Sequence, residues 1–176
     1  GLRVGACKLT GVSLMRDTLA MQDAGAVAAV TFNDAGAAST HAGMTVTVAK
    51  GLFNHLQRTV RPDVIVAELG DGILGAYGVE AILDAPDIRA SLTAVVLSAN
   101  DPVAAWGGVK LLRERFKIEP AVVTGPATDN SVGVDIIRDQ LGVPAFNAMT
   151  SGAALGDCLI SAVGLDSVAH SGEIVE

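Results

Sequence analysis

Aromatic residues are scarce in this chain. Its 176 residues include one Trp, one Tyr and four Phe. Proteins that bind single-stranded nucleic acid stack the bases on aromatic side chains, and so few aromatics cannot build such a platform. The 19 acidic residues outnumber the 12 basic ones, and the net charge of −7 repels nucleic-acid phosphate and anionic lipid. We therefore expect neither a nucleic-acid partner nor a membrane partner.

Cysteine is also rare, and long apolar runs are missing. Cys7 and Cys158 are too few for a disulfide framework and form no C-x-x-C metal-ligand pair. No apolar run of membrane-spanning length is free of charges or clustered glycines, and the N-terminus has no signal-peptide pattern. A reducing, cytoplasmic compartment fits these features best. The chain begins at Gly1, without a Met, and enters a strand-like run almost at once, so we expect a fragment or a chain that has lost an upstream segment.

A complete phosphate-binding loop is absent as well. A Walker A loop has the pattern G-x-x-x-x-G-K-[S/T], in which successive backbone N–H groups wrap the phosphates. The stretch VGACKLTGVS, residues 4–13, comes close, but five residues separate Gly5 from Gly11 and Val12 stands in the lysine position. The dipeptide Gly-Lys occurs nowhere in the sequence. Lys8, inside this stretch, must therefore have another role or none.

What the sequence does contain is an alternation of short apolar runs and longer helix-like segments. The runs are mostly apolar on both faces, which is typical of parallel strands covered by helices. The predicted strands are residues 3–7, 27–32, 64–69, 94–98, 121–124 and 144–147. The predicted helices are residues 14–23, 46–60, 77–83, 102–116, 131–141 and 152–163. The pattern and the length predict one α/β domain over residues 1–176, a doubly wound, mostly parallel sheet with helices on both faces.

Polar loops follow the predicted strands, where ligands of such folds bind. Lys8 and Thr10 lie in the first loop. Lys8 could contact a phosphate as a point charge, or it could be an edge lysine with a solvated ammonium. Thr10 could bind a phosphate or a metal-bound water, or it could cap the following helix.

Carboxylates provide candidate metal ligands. Glu68 ends an apolar strand just before Gly70, and Walker B strands hold Mg²⁺ or its waters with a carboxylate at this position. The alternative is a structural Glu bonded to loop amides. Asp71 could be a second acid near the metal, although its position favours a turn residue. Asp17 by itself is typical of a solvated helix residue paired with Arg16.

Three polar residues on later loops are candidates for binding a cofactor. Asn100, Thr124 and Asn130 could read the edge of a nucleotide base, but such residues also serve as ordinary turn and cap residues. For Asn130, a cap on the helix that begins at residue 131 is the alternative.

Three segments in order resemble the dethiobiotin synthetases and allied uncharacterised P-loop families. They are Lys8-x-Thr10-Gly11, then MRDTLAMQDAGA (residues 15–26), then VIVAELGDG (residues 64–72). The resemblance implies a P-loop NTPase-like, three-layer α/β/α fold that uses ATP and Mg²⁺. It also implies that Lys8 contacts phosphate and the reacting group of the substrate, and that Asp17 and Glu68 help bind Mg²⁺.

Two departures from that family limit the expectation. The loop after Lys8 is only LTGVSLM (residues 9–15), whereas the synthetases have a longer substrate-binding loop there. Diaminopelargonic acid is therefore a poor fit as substrate. The strand, Walker A loop and helix that open the synthetases have no counterpart here. We therefore expect an N-terminally truncated P-loop domain whose strand 64–69 has an unpaired edge, and we expect that it can form a homodimer.

These observations lead to one leading function and two alternatives. The leading one is an ATP- and Mg²⁺-dependent enzyme of the ligase, synthetase or kinase type, in which phosphoryl transfer activates a small carboxylate or similar small-molecule substrate. The second is a non-catalytic module of a larger protein that senses a nucleotide or metabolite. A Rossmann-type oxidoreductase fits less well, because no G-x-G-x-x-G follows a predicted strand.

Overall fold

A computed structural model of the chain describes residues 1–165. The chain divides into two compact units, Gly1–Ser91 and Leu92–Glu176. Helices and parallel strands alternate in both, which confirms the predicted α/β class. Within the described residues, no helix is both long enough and apolar enough to cross a bilayer.

The first unit is built around a three-stranded parallel sheet in the order β2-β1-β3. Lys8 on the central strand faces Thr31 on β2 and Glu68 on β3. The elements in chain order are β1 (Val4–Thr10), α1 (Met15–Asp23), β2 (Ala28–Thr31), α2 (Thr45–Thr59), β3 (Val64–Leu69), α3 (Val79–Asp84) and α4 (Pro86–Ser91).

The core of this unit lies between the sheet and α2. Along α2, Ala49, Leu52 and Leu56 recur on one face and are buried, as an amphipathic helix requires. They pack with Cys7 and Phe32, both of which are fully buried. Complete burial of a side chain such as Leu56 stabilises a fold by roughly 1.5–3 kcal/mol. This packing fixes the carboxyl ends of β1 and β3 beside each other.

The end of β1 differs from the prediction. The sequence predicted a strand over residues 3–7 followed by a polar loop, but β1 continues through Thr10. The reason is pairing, because Lys8 opposes Glu68 and Thr10 opposes Leu69 on β3, with an irregularity in register between the two pairs. Lys8 and Thr10 are therefore strand residues, held more firmly than loop residues would be.

The second unit contains a two-stranded parallel sheet formed by β4 (Val96–Ser98) and β5 (Val122–Thr124). Its helices are α5 (Pro102–Leu111), α6 (Ser131–Ile136) and α7 (Gly152–Ala162). The π-helical segments Leu112–Phe116 and Ile137–Leu141 prolong α5 and α6, and Pro126–Thr128 forms a 3₁₀ turn. The strand predicted at residues 144–147 is reduced to a parallel bridge between Ala145 and Val123.

Side-chain caps fix two helix starts in this unit. Asp101 accepts a hydrogen bond from the Ala104 N–H at the start of α5, and Asn130 accepts one from Gly133 at the start of α6. On α5, Trp106 is half exposed, with Lys110 Nζ 4.9 Å from its ring centroid.

The strands of the two units form two small parallel sheets. The doubly wound single sheet remains a prediction.

Candidate functional site

A cation lies between two carboxylates at the carboxyl ends of β1 and β3. Lys8 Nζ is 2.9 Å from Asp17 Oδ2 and 3.2 Å from Glu68 Oε1. We call these three residues the Lys8 cluster. The structure therefore brings together the three residues that the resemblance had assigned to one site.

The backbone explains why these side chains meet. Lys8 and Glu68 are paired residues on adjacent parallel strands, so their side chains leave the sheet on the same face. Asp17 comes from the first turn of α1, where its Oδ2 also accepts a hydrogen bond from the Leu14 N–H at 3.0 Å. A carboxylate at a helix start is stabilised by the free N–H groups there. Asp17 is thus fixed by the helix as well as by Lys8.

Burial and charge together set the protonation of the cluster. The Lys8 side chain is 11% exposed, that of Asp17 19% and that of Glu68 43%. Burial by itself lowers the pKa of Lys8, but hydrogen bonds and charge from Asp17 and Glu68 outweigh it and leave the pKa raised. The pKa of Asp17 is lowered, first by the Leu14 N–H and then by Lys8. Lys8 is therefore protonated and Asp17 ionised at neutral pH.

Thr10 occupies a structural position beside the cluster. It is fully buried, and its hydroxyl donates to the Gly70 carbonyl at 3.1 Å. In this conformation the hydroxyl links β1 to the loop after β3 and does not face solvent. Its predicted contact with a phosphate or a metal-bound water stays a prediction that requires this link to open.

Thr40 makes a second link that the sequence analysis did not identify. Its hydroxyl accepts a hydrogen bond from the Gly11 N–H at 3.0 Å and donates to the Tyr77 carbonyl at 2.9 Å. Thr40 is buried and comes from the loop FNDAGAAST (residues 32–40), which follows β2. The loops after β1, β2 and β3 are therefore tied together behind the Lys8 cluster.

Gly70 and Asp71 form the turn that follows β3. A Cβ at Gly70 would lie 2.8 Å from the Thr10 carbonyl oxygen and 3.4 Å from Lys8 Cε, so only glycine fits without displacement. Asp71 adopts a left-handed backbone conformation with φ 69°. It is a turn residue, the role that its position favoured. A larger residue at position 70 would therefore press on both Thr10 and Lys8.

An open groove of about 570 Å³ borders the cluster on the α1 side. Both carboxylates of the Lys8 cluster reach this groove, so a ligand lying in it would contact them directly. The groove is lined by Arg16, Asp17, Ala20, Met21, Ala24 and Glu68.

The cluster offers few ligands for a metal. Among residues 1–165, no three His, Cys, Asp or Glu side chains lie close enough together to hold an ion. Mg²⁺ usually keeps several waters and uses one or two carboxylates, so Asp17 and Glu68 suffice in number. Each of them is bonded to Lys8 here, and Glu68 is the more exposed of the two. Mg²⁺ binding by this pair stays a prediction.

The three predicted base-reading residues lie in the second unit. Asn130 uses its carbonyl oxygen to cap α6, which is the alternative role considered for it. Thr124 is buried, and its Oγ1 has no hydrogen-bond partner within the described part of the chain. Asn100 is exposed in the loop after β4. Their contact with a base stays a prediction.

Comparisons with known proteins identify no relative. No family model matches the chain, and no curated protein or solved structure is significantly similar to it.

Proposed function

We propose that this chain is part of an ATP- and Mg²⁺-dependent enzyme of the P-loop type, in which phosphoryl transfer activates a small carboxylate or similar metabolite. One observation carries the proposal: a largely buried ammonium, Lys8, sits between Asp17 and Glu68 where two parallel strands end. Phosphoryl transfer is catalysed mainly by positioning and by charge stabilisation, and this arrangement supplies a fixed cation and two carboxylates.

Each residue of the Lys8 cluster would have a separate role in the reaction. Mg²⁺–ATP supplies the phosphoryl group and part of the charge neutralisation. Glu68, with its 43% exposed side chain, is the accessible metal ligand, and Asp17 fixes the position of Lys8. Lys8 stabilises negative charge on the transferring group, provided that an incoming anion replaces one of its carboxylate partners.

The phosphate loop belongs to a different segment in this proposal. The 176 residues contain no Gly-Lys dipeptide, so the backbone N–H groups that cradle the phosphates are not among them in Walker A form. Among residues 1–165, β3 pairs with β1 alone, so in this proposal its other edge takes a further strand. A doubly wound, three-layer P-loop fold and a cytoplasmic location are part of the same proposal.

A second candidate function is a non-catalytic module that senses a nucleotide or metabolite. The observation that favours it is the pairing of Lys8 with two carboxylates, which offsets its charge within the cluster. Paired ionic networks of this kind also occur as purely structural features. Ligand binding without turnover in the complete encoded protein would favour this candidate over the enzyme.

The decisive experiment is titration calorimetry of ATP with and without Mg²⁺ on the complete encoded protein. Glu68→Gln keeps the shape of the side chain and removes its charge, so we expect it to abolish Mg²⁺-dependent ATP binding. Asp23→Asn, at the exposed end of α1, is the matched control and should change nothing. Unchanged Mg²⁺–ATP affinity in Glu68→Gln would rule out the proposed metal ligand.

A further inference from the structure

The second unit contains a pocket whose lining, apart from Asn130, has been given no role so far. Its volume is about 760 Å³, within the range of small-molecule binding sites. It lies between the start of α6, the segment at residues 142–147 and the start of α7. The proposal below concerns this pocket alone.

A carboxylate, that of Asp129, lines the pocket and accepts a hydrogen bond from a buried asparagine. Asn147 is 9% exposed, and its Oδ1 accepts hydrogen bonds from the Met149 N–H at 2.9 Å and the Thr150 N–H at 3.1 Å. These two bonds fix the orientation of the amide, whose Nδ2 donates to Asp129 Oδ1 at 2.8 Å. Asp129 Oδ2 receives no hydrogen bond or ion pair from the described residues. Asp129 is exposed and held through one oxygen by Asn147, so its carboxylate offers acceptor lone pairs to the pocket.

The other lining residues favour a flat, uncharged or cationic ligand. Phe146 and Val134 are half-buried and offer apolar contact surface to a planar group. Arg138 also lines the pocket, but its guanidinium is bonded to Asp135 and Asp139. Its charge is thus offset, and the pocket has little to attract an anion.

We propose that this pocket binds a planar group that presents two adjacent N–H donors to Asp129, with Phe146 against its face. Two sources share this chemistry: the N1–H and 2-amino edge of guanine, and a guanidinium group. Adenine presents one amino donor beside an acceptor nitrogen, which a carboxylate complements poorly. Neither source depends on the proposed function, because the lining of the pocket lies wholly within the second unit.

The pocket can be tested with ligands that carry no phosphate. In titration calorimetry without Mg²⁺, guanosine should bind about 10- to 100-fold more tightly than adenosine, and inosine, which lacks the 2-amino group, should fall between them. Methylguanidinium is the second arm. Binding of methylguanidinium without guanosine would identify a guanidinium ligand, and binding of neither would overturn the proposal.

An isosteric variant tests Asp129 itself. Asp129→Asn can keep the bond from Asn147 but replaces an acceptor with a donor. It should weaken guanosine binding at least about tenfold and improve binding of xanthosine, which has a carbonyl in place of the 2-amino group. Asp157→Asn, exposed on α7 and outside the pocket, is the control. Equal guanosine affinity in Asp129→Asn and the control would overturn the proposal.

A second variant keeps the test valid if Asp129→Asn fails to fold. Phe146→Leu retains an apolar side chain and removes the aromatic face, and it should weaken guanosine or methylguanidinium binding several-fold. Unchanged binding would exclude stacking on Phe146. Guanosine has no phosphate, so its binding does not depend on the Lys8 cluster. If Mg²⁺–ATP binding proves insensitive to Glu68→Gln while guanosine still binds, only the proposed function fails.

Discussion

Lys8 and Glu68 face each other across adjacent parallel strands, with Nζ 3.2 Å from Oε1. Lys8 is thereby held in place before any ligand arrives, which is the condition under which a cation stabilises a transition state most effectively. Loss of Lys8 would leave two carboxylates without their cation, whereas loss of Glu68 would leave Lys8 paired with Asp17.

The first prediction concerns Lys8→Ala. In the proposed reaction it should lower turnover by about 10²–10³-fold, because the charge that stabilises the transferring group is lost. The measurement is steady-state turnover of the complete encoded protein. Lys50→Ala, an exposed lysine on α2 paired with Asp87, is the control and should retain turnover. Near-normal turnover in Lys8→Ala would leave Lys8 with a structural role only.

The second prediction concerns pH and Asp17. The pKa of this carboxyl is lowered in the fold, so its contribution to the free energy of unfolding is present above the unfolded value of about 4 and is lost as the pH falls through the lower folded value. Asp17→Asn should therefore be less stable than wild type at pH 7, with a gap that narrows below about pH 4. Urea denaturation of both proteins at pH 7 and below about pH 4 measures the difference in their free energies of unfolding. A gap independent of pH, or an equal effect of Asp23→Asn, would contradict it.

The third prediction concerns the two thiols. Cys7 is fully buried, and burial raises its pKa to about 12, whereas Cys158 is only half-buried. Because the thiolate is the reactive form, a thiol reagent at neutral pH should modify Cys158 first and Cys7 only after unfolding. Titration with and without denaturant counts the thiols. Cys7→Ser should remove only the slowly reacting thiol. Equal reaction rates for both thiols in the native protein would contradict the prediction that Cys158 reacts first.

The fourth prediction compares two glycines. Gly70→Ala should lower the free energy of unfolding by about 1–3 kcal/mol, because its Cβ would press on the Thr10 carbonyl and on Lys8. Gly51→Ala, exposed in the middle of α2 with no atom near the new methyl group, should raise it by roughly 0.5–1 kcal/mol. Chemical denaturation of both variants gives the comparison. A change of stability in the same direction for both variants would contradict this prediction.

The fifth prediction concerns self-association. β3 lies at one edge of its sheet, and Val66 on it is 57% exposed. An apolar edge strand can pair with a second copy, and a charge on it opposes such pairing. Val66→Lys should therefore weaken concentration-dependent association in sedimentation experiments, while Thr18→Lys, on α1, serves as the control. An equal degree of association in both variants would exclude this edge as the homodimer contact.

Some of the site could be predicted from sequence and some could not. The strand at residues 64–69 was predicted with its observed bounds, because an unbroken apolar run ends at a carboxylate and two glycines. The inward position of Thr10 could not be predicted, because a one-residue irregularity between Lys8 and Thr10 decides it, and such shifts leave no periodic signal. The role of Thr40 could not be predicted for another reason. Its hydrogen bond with Gly11 spans 29 residues and depends on how three loops pack.

The half-exposed indole of Trp106 makes the protein convenient to observe. It is the single tryptophan of the chain and lies in the second compact unit, whereas the single tyrosine, Tyr77, lies in the first. Each unit thus carries its own intrinsic fluorophore, without any label. Coincident emission changes during a denaturant titration would indicate one cooperative transition, and separated midpoints would indicate two. The question of one folding domain or two can therefore be answered from a single unlabelled sample.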